Sequence, residues 1–289
     1  MTKILVLSDF HGKFPANLKK EIKNVDMIIS LGDYRGIEGQ DDYYIEMFKR
    51  FKEGKGYLSP EKYFGEKKYK RLEKKAYIDM KKVLLYLNNT KKPVYTIMGN
   101  YDHSLYKFPF QKNFSEKGGT DVKWFKTLDR IESVNYKIKK INGIEFFGFG
   151  GYMDDESNLP DRKNTNLSKN QIKKLRRFDK TKEGFFSLVD KMKEKGIFVL
   201  HYPPASKFGK VANKKNPYFG NNVGIRYFTE VIKEKKPYFV LCGHMHEHQG
   251  MMKLYGVPLI SVGCAHEGKG CVIDFDFDKK KLVDVKFIK

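Results

Sequence analysis

Glutamine, cysteine and unbroken apolar sequence are all scarce in this chain. Glutamine stands only at positions 40, 111, 171 and 249, while lysine and glutamate are plentiful, which is the surface style of thermophile proteins. The 3 cysteines, Cys242, Cys264 and Cys271, are odd in number and show no CxxC spacing. They read as reduced, buried small hydrophobes of a cytoplasmic protein. No apolar run approaches the ~20 residues needed to span a bilayer, so no membrane partner is expected. The start, Met1-Thr2-Lys3, passes at once into Ile4-Leu5-Val6-Leu7 and is answered by Ser8-Asp9. That apolar stretch is too short for a signal peptide. Acidic residues are in deficit, and internal repeats are absent.

What is present is ample for a core. The 289 residues, 40% hydrophobic and 15% aromatic, can form one large α/β domain or two modest ones. Lys+Arg 57 against Asp+Glu 35 gives a formal charge of +22, which favours a polyanionic partner or an anionic substrate through long-range attraction. Thermophile composition would explain the abundance of charge, though not the imbalance.

The chemistry lies where apolar runs end. Tyr238-Phe239-Val240-Leu241-Cys242 reads as a buried strand and delivers Gly243-His244-Met245-His246-Glu247-His248, which holds three of the chain's 7 histidines. Imidazole is the commonest ligand for first-row transition metals, and two on alternate residues of a turn can reach two ions. The same ending recurs. Residues 3 to 7 lead to Ser8-Asp9-Phe10-His11-Gly12, and after a helix bearing Leu18 and Ile22, Asp26-Met27-Ile28-Ile29-Ser30 leads to Leu31-Gly32-Asp33. That is a β-α-β unit with a carboxylate at each strand exit. Val94 to Met98 ends in Gly99-Asn100-Tyr101-Asp102-His103, and Ile197 to Leu200 ends in His201-Tyr202-Pro203-Pro204.

Between these points the rhythm changes. Residues 37 to 92 are basic and aromatic, with Leu72, Ala76, Met80, Val83, Leu84 and Leu87 on one helical stripe after an irregular lobe carrying Tyr57, Tyr63, Phe64 and Tyr69. Such text can bind nucleic acid by phosphate contact and stacking, but it reads more simply as a solvated helical face over a small aromatic core. Residues 134 to 141 and 144 to 149 form a hairpin turning at Asn142-Gly143. Residues 151 to 195 follow, with one helix opened by Ser168 and Gln171 and a second presenting Phe185, Leu188, Val189 and Met192. After the Lys- and Asn-rich loop near 207 to 222, a helix with Val223, Tyr227, Phe228, Val231 and Ile232 leads into the last ligand turn. Segments 257 to 262, 271 to 277 and 282 to 288 read as a closing β meander.

Asp9-x-His11, Gly32-Asp33, Gly99-Asn100, His201 and Gly243-His244-x-His246, in this order and each at a strand end, resemble the calcineurin-like metallophosphoesterases over residues 3 to about 263. The resemblance implies an α/β fold, a four-layer α/β/β/α sandwich with two mixed sheets. The chain would be a single domain, 1–289, with insertions 37–92 (basic, partly helical) and 151–195 (helical). It implies two divalent transition-metal ions, Mn first, with Fe, Zn, Co or Ni as alternatives. Asp9, His11 and His246 would hold one, Asn100, His201 and His244 the other, and Asp33 would bridge. A hydroxide held between the ions would attack a phosphodiester or phosphomonoester. The alternative of ion-free residues satisfying one another would bury four histidines beside carboxylates at high cost.

One position departs from the family pattern. Many members carry histidine after the motif asparagine; here Tyr101 stands there and His103 follows two places later. Tyrosine can hydrogen-bond phosphate but is a poor acid near neutrality, with a reference pKa of ~10. Tyr101 and His103 are therefore the candidate catalytic side chains beside Asp33 and Asn100, with His103 equally readable as a surface residue. Asp102 loses its usual justification. Arg35 and His266 are candidate substrate contacts, and His248 reads as solvated. The expected partner is a phosphorylated small molecule or nucleotide. Nucleic acid stays open, because the family includes repair nucleases, and no obligate protein partner is expected. A non-catalytic scaffold is disfavoured, because every ligand position is retained.

Overall fold

The computed structural model of the chain describes residues 1–108, 119–154 and 156–289. Its first half runs β1 (Thr2–Leu7), α1 (Ala16–Glu21), β2 (Met27–Ser30), α2 (Gln40–Lys52), α3 (Pro60–Phe64), α4 (Glu66–Asn88), β3 (Val94–Thr96), α5 (Val122–Phe125) and β4 (Ile131–Ser133). The second runs β5 (Lys137–Ile141), β6 (Ile144–Phe149), α6 (Lys169–Val189), β7 (Ile197–Leu200), α7 (Arg226–Lys235) and β8 (Val240–Cys242). It closes with β9 (Gly250–Leu254), β10 (Val257–Ser261), β11 (Gly270–Asp276) and β12 (Lys281–Ile288).

These strands make two sheets of 6, ordered β12-β11-β1-β2-β3-β4 and β5-β6-β7-β8-β10-β9. In each, four strands run parallel, β1 to β4 in one and β6, β7, β8 and β10 in the other. Antiparallel partners lie at the edges: β11 on β1 and β12 on β11, then β5 on β6 and β9 on β10. The sheets are therefore mixed, and the parallel strands of both deliver their carboxyl ends to one side, where ligands bind in such sheets.

Side-chain alternation sets the layers. Ile4 and Val6 of β1 pack between the sheets with Phe146, Ile197, Val199 and Leu241. Leu5 and Leu7 face outward against Leu18 of α1 and Met80, Leu84 and Leu87 of α4. In the second sheet Phe147, Phe198 and Val240 turn outward to Phe178, Phe185 and Val189 of α6 and Phe228 and Val231 of α7. The layers are α/β/β/α, as the sequence implied. The predicted stripe of α4 is buried in full. The Asn142-Gly143 turn has positive φ at both residues, 46° and 83°, as a two-residue I′ hairpin requires.

Three local expectations are corrected. Segment 151–195, apart from residue 155, which lies outside the described residues, carries one long helix instead of two. The buried stripe Leu175, Phe178, Thr181, Phe185 and Val189 of α6 runs on through Gly184, and core burial outweighs the ~1 kcal/mol that an interior glycine costs. Its capping box at Ser168 and Gln171 forms as expected. The irregular lobe contains a 13-residue helix, α2. Finally, the closing strands are no meander: β10 joins the second sheet and β11 the first, and the connection between them is tied to the exit of β1 by Ala265 N–H to the Ser8 carbonyl (2.7 Å).

Candidate metal centre

Every sequence-predicted ligand sits just past the carboxyl end of a parallel strand. Asp9 and His11 follow β1, Asp33 follows β2, Asn100 follows β3, His201 follows β7, and His244 and His246 follow β8. The turns are tight. Asp9, His11, Asp33 and His244 all have positive φ, at 57°, 43°, 55° and 66°, a conformation uncommon for non-glycine residues that clusters where surrounding structure enforces it. The enforcement is visible as cross-strand bonds, Asp9 N–H to Gly32 O (3.0 Å), His11 N–H to Asp33 O (2.9 Å) and Gly243 N–H to His201 O (2.9 Å). Gly32 (φ 88°) and Gly99 pass so closely that a Cβ on Gly32 would fall on the backbone nitrogen of Gly99.

Two groups of ligand atoms result. In the first, His11 Nε2 lies 3.0 Å from His246 Nε2, and Asp9 Oδ1 lies 3.9 Å from the former and 3.3 Å from the latter. Asp9 Oδ2 accepts from the Ser8 hydroxyl and the His244 N–H, but Oδ1 is buried without a hydrogen-bond partner. His266 joins this group, its ring 5.3 Å from that of His11 and 5.5 Å from that of His246. In the second, Asn100 Oδ1 lies 3.0 Å from both His201 Nε2 and His244 Nδ1. Asp33 Oδ2 is 3.3 Å from His201 Nε2, and Asp33 also falls within 4.8 Å of ligand atoms of Asp9 and His11. Asp33 is thus the carboxylate common to both groups.

The tautomers are set from outside. His201 Nδ1 meets the Leu31 carbonyl at 2.8 Å and His11 Nδ1 the Arg35 carbonyl at 3.0 Å. The Leu31 carbonyl takes the His201 Nδ1–H, His11 Nδ1 stands between the Arg35 carbonyl and the Gln40 side-chain NH2 (3.2 Å), and both rings turn Nε2 inward, the usual arrangement of a metal-binding imidazole. Electrostatics divide the four rings into two charged and two neutral ones. Burial raises the Asp9 pKa, but His246, His201 and His11 outweigh it and hold the carboxyl well below the usual range. Burial opposes charge on His201 and His246, yet Asp33 and Asp9 respectively lift them to about 9. Burial keeps His11 neutral, down to about 4, and burial with His201 keeps His244 at about 3.

Two further residues bear on the site: Asp102, which the sequence left without a role, and Gln40, which it did not single out. Asp102 is fully buried and accepts the backbone N–H of Asp33 (2.8 Å), Gly99 (2.8 Å) and Tyr34 (2.9 Å). Burial, then Asp33, raises its pKa to about 7 against those three donors. It clamps the Asp33 and Asn100 turns to each other, a function no local signal announces. Gln40, at the start of α2, reaches His11 Nδ1 at 3.2 Å and caps Ile37 N–H.

Among the remaining candidates, Tyr101 donates its N–H to Asp33 Oδ1 (2.8 Å) and packs its ring 5.5 Å from that of His11. Its hydroxyl bonds Tyr44, and burial pushes its ionisation well above the usual range. His103 lines the cavity beside the site, its pKa lowered by burial and then by Arg35. Arg35 lines the same cavity but pairs with Glu73 at 2.7 Å. His248 lies apart, bound to the Lys210 carbonyl at 2.6 Å.

The donor set fits divalent ions. The imidazole nitrogens of His11 and His246 converge at 3.0 Å with Asp9 Oδ1 3.9 and 3.3 Å away and outside hydrogen-bond geometry, so a proton or a cation has to lie among them. Mixed imidazole, carboxylate and carboxamide ligation suits first-row transition metals.

The description calcineurin-like phosphoesterase matches residues 2–248. The chain belongs to that family and is a metal-dependent hydrolase of phosphoric esters. One solved structure, 15% identical, aligns over 100% of this chain and 99% of its own with a TM-score of 0.62. The phosphopantetheinyl hydrolase of Mycobacterium tuberculosis is 12% identical over 92% of this chain and 90% of its own, with a TM-score of 0.50. A dimetal phosphatase of Danio rerio is 12% identical, over 99% and 96%, at a TM-score of 0.41. At such identity the first two likenesses concern the fold. No curated protein matches the chain. Among the described residues no helix is long and apolar enough to cross a membrane.

Proposed function

We propose that this phosphoesterase is dinuclear, with Asp9, His11 and His246 holding one divalent ion, Asn100, His201 and His244 the other, and Asp33 between them. The observation that supports this best is the meeting of two ligand groups at one buried carboxylate, with Asp9 Oδ1 unpartnered beside them. Bound there, two ions would neutralise phosphoryl oxygens and bring the pKa of the attacking water towards neutrality. Manganese is the first candidate, and Fe, Zn, Co and Ni suit the same ligands.

The chain's own groups do the positioning. Tyr101 N–H and Asp102 hold Asp33 in register, and the Nδ1 contacts of His11 and His201 with the Arg35 and Leu31 carbonyls keep both Nε2 atoms turned inward. Tyr101, with its ionisation suppressed, acts as a hydrogen-bond donor to phosphate instead of an acid. His103, whose pKa is also lowered, is neutral near pH 7. The leaving oxygen is then protonated by water, a feature that favours phosphodiesters over monoesters.

The charge of +22 keeps a nuclease as the second reading. The cavity at the site does not carry that excess: Arg35, Lys107, Lys174 and Lys269 on its wall are matched by Asp41, Glu73, Asp154, Glu247 and Glu267. A small phosphoester is therefore preferred. The chain is read as one domain, 1–289, elaborated by segments 37–92 and 151–195, whose helices α4 and α6 form outer layers of the sandwich. Three free, buried cysteines support a cytoplasmic setting.

The test is metal analysis with turnover of bis(p-nitrophenyl) phosphate and p-nitrophenyl phosphate by Mn-loaded protein. Asp33→Asn is expected to lower kcat/KM by about 100-fold or more. Hydrolysis of neither ester by the wild type, or an unimpaired variant, would refute the catalytic assignment. DNA and RNA binding that falls steeply with salt would revive the nuclease.

A further inference from the structure

Helix α2 turns an aromatic face towards space. Of its 13 residues only Gln40, Tyr43 and Met47 are buried, and its remaining apolar side chains line a cavity of about 1720 Å³ that opens from the metal centre. Ligand pockets usually fall in the range ~300–1,000 Å³, so this one has room for much more than phosphate. Gln40, Tyr44 and Phe48 recur every four residues on one face, at ~1.5 Å rise per residue. The first touches His11 at 3.2 Å, so the other two stand ~6 and ~12 Å further along the helix from the metal centre.

The rings form a continuous line. His11 meets Tyr101 at 5.5 Å, Tyr101 meets Tyr44 at 6.2 Å, Tyr44 meets Phe48 at 6.2 Å, and Phe48 meets Tyr218 at 5.8 Å. Tyr218 comes from the loop at residues 210–222 and packs against α2 at the wall of the cavity, where Lys52 Nζ also bonds the Pro217 carbonyl at 3.1 Å. Asn213 and Asn216 line the same cavity; each Oδ1 accepts a backbone N–H two residues on, from Lys215 and Tyr218 at 3.0 Å, which leaves their NH2 groups as donors. Aromatic faces bind flat rings, and amide side chains pair with the polar edges of a heterocycle.

Building on the phosphoesterase reading above, we propose that this chamber is a subsite for a nucleobase, or a heteroaromatic ring of that size, carried by the organic part of the phosphoester. The ring lies along Tyr44 and Phe48 with Tyr218 beyond it, while the phosphoryl group rests at the metal ligands. Phe48 and Tyr218 are then specificity residues. A plain acyl chain would find the stacking faces but give the side-chain NH2 groups of Asn213 and Asn216 nothing to donate to.

The experiment compares adenosine 5′-monophosphate, glycerol 3-phosphate and hexyl phosphate, and the methyl diester of each, with Mn-loaded wild type, Phe48→Ala and Phe48→Trp. The ratio of kcat/KM for the adenosine ester to that for the glycerol ester is expected to fall about tenfold in Phe48→Ala and to be retained in Phe48→Trp. Direct titration with adenosine 5′-monophosphate and inorganic phosphate gives a readout independent of turnover. The nucleotide should bind more tightly than phosphate, and Phe48→Ala should remove most of that advantage. Turnover without a preference for the adenosine ester, an unchanged ratio, or stronger selection of the hexyl ester overturns the chamber assignment while leaving the phosphoesterase standing. If no ester is hydrolysed, the catalytic reading fails, and the titration alone decides the chamber.

Discussion

Replacing Asp102 should unfasten the metal centre without touching a proposed metal ligand. Three backbone N–H groups, from Asp33, Gly99 and Tyr34, end on its carboxylate at 2.8–2.9 Å, in a place sealed from solvent. Each buried donor left unpaired costs about 1–3 kcal/mol. Asp102→Ala strands all three, so the loss is at least about 3 kcal/mol, a large share of the ~5–15 kcal/mol typical of a domain. Asp102→Asn is milder. Its carbonyl can take the Oδ2 position and keep the Asp33 and Gly99 donors, while its NH2 faces the Tyr34 N–H, costing about 1–3 kcal/mol. Denaturant unfolding followed by circular dichroism measures both. Metal affinity should fall in the same order, because the clamp holds the Asp33 and Asn100 turns together. An Asp102→Ala protein within about 1 kcal/mol of wild type, binding metal normally, would show that the three N–H groups find water or other partners and that the clamp argument is wrong.

Two further outcomes follow from the core and the site. Phe185→Ala should cost about 3–5 kcal/mol by denaturant unfolding, because the ring is fully buried among Phe147, Phe149, Phe228 and Tyr227; a loss under about 1 kcal/mol would mean that α6 does not close the second sheet as described. In metal-free protein, thermal unfolding from pH 4 to 10 should show the four histidines giving a stability maximum near pH ~6.5, the unfolded imidazole value. The His201 and His246 contributions, complete below that value, are lost as pH rises through about 9, whereas His11 and His244 penalise folding as pH falls towards about 4 and 3. Stability still rising between pH 7 and 9 would contradict the His201–Asp33 and His246–Asp9 pairings.

Local text placed the candidate ligands at strand exits. Asp9, Asp33, Asn100, His201, His244 and His246 each follow an apolar run whose strand character is written in a few adjacent residues, so strand, exit and ligand type could be read together. The stripe of α4 and the Asn142-Gly143 hairpin were legible for the same reason, since periodicity and turn chemistry are short-range. Strands β4 and β9 were missed, β4 being three residues long and β9 a half-exposed edge strand with a glycine and a lysine among its five, and α2 was hidden by an aromatic pattern that serves a cavity instead of a core.

By itself the sequence determined which chemical groups this protein can bring to a metal and that they stand at strand ends, because both depend on neighbouring residues. Only the tertiary structure decided that β10 and β11 belong to different sheets, which carries His266 to the first ligand group, and that Asp102 binds turns 69 residues away. It also decided that α2 and the loop around Tyr218 enclose a chamber beside the site. Each of these rests on contacts between segments far apart in the chain, set by how two sheets and their helices pack, and no window of sequence contains both partners.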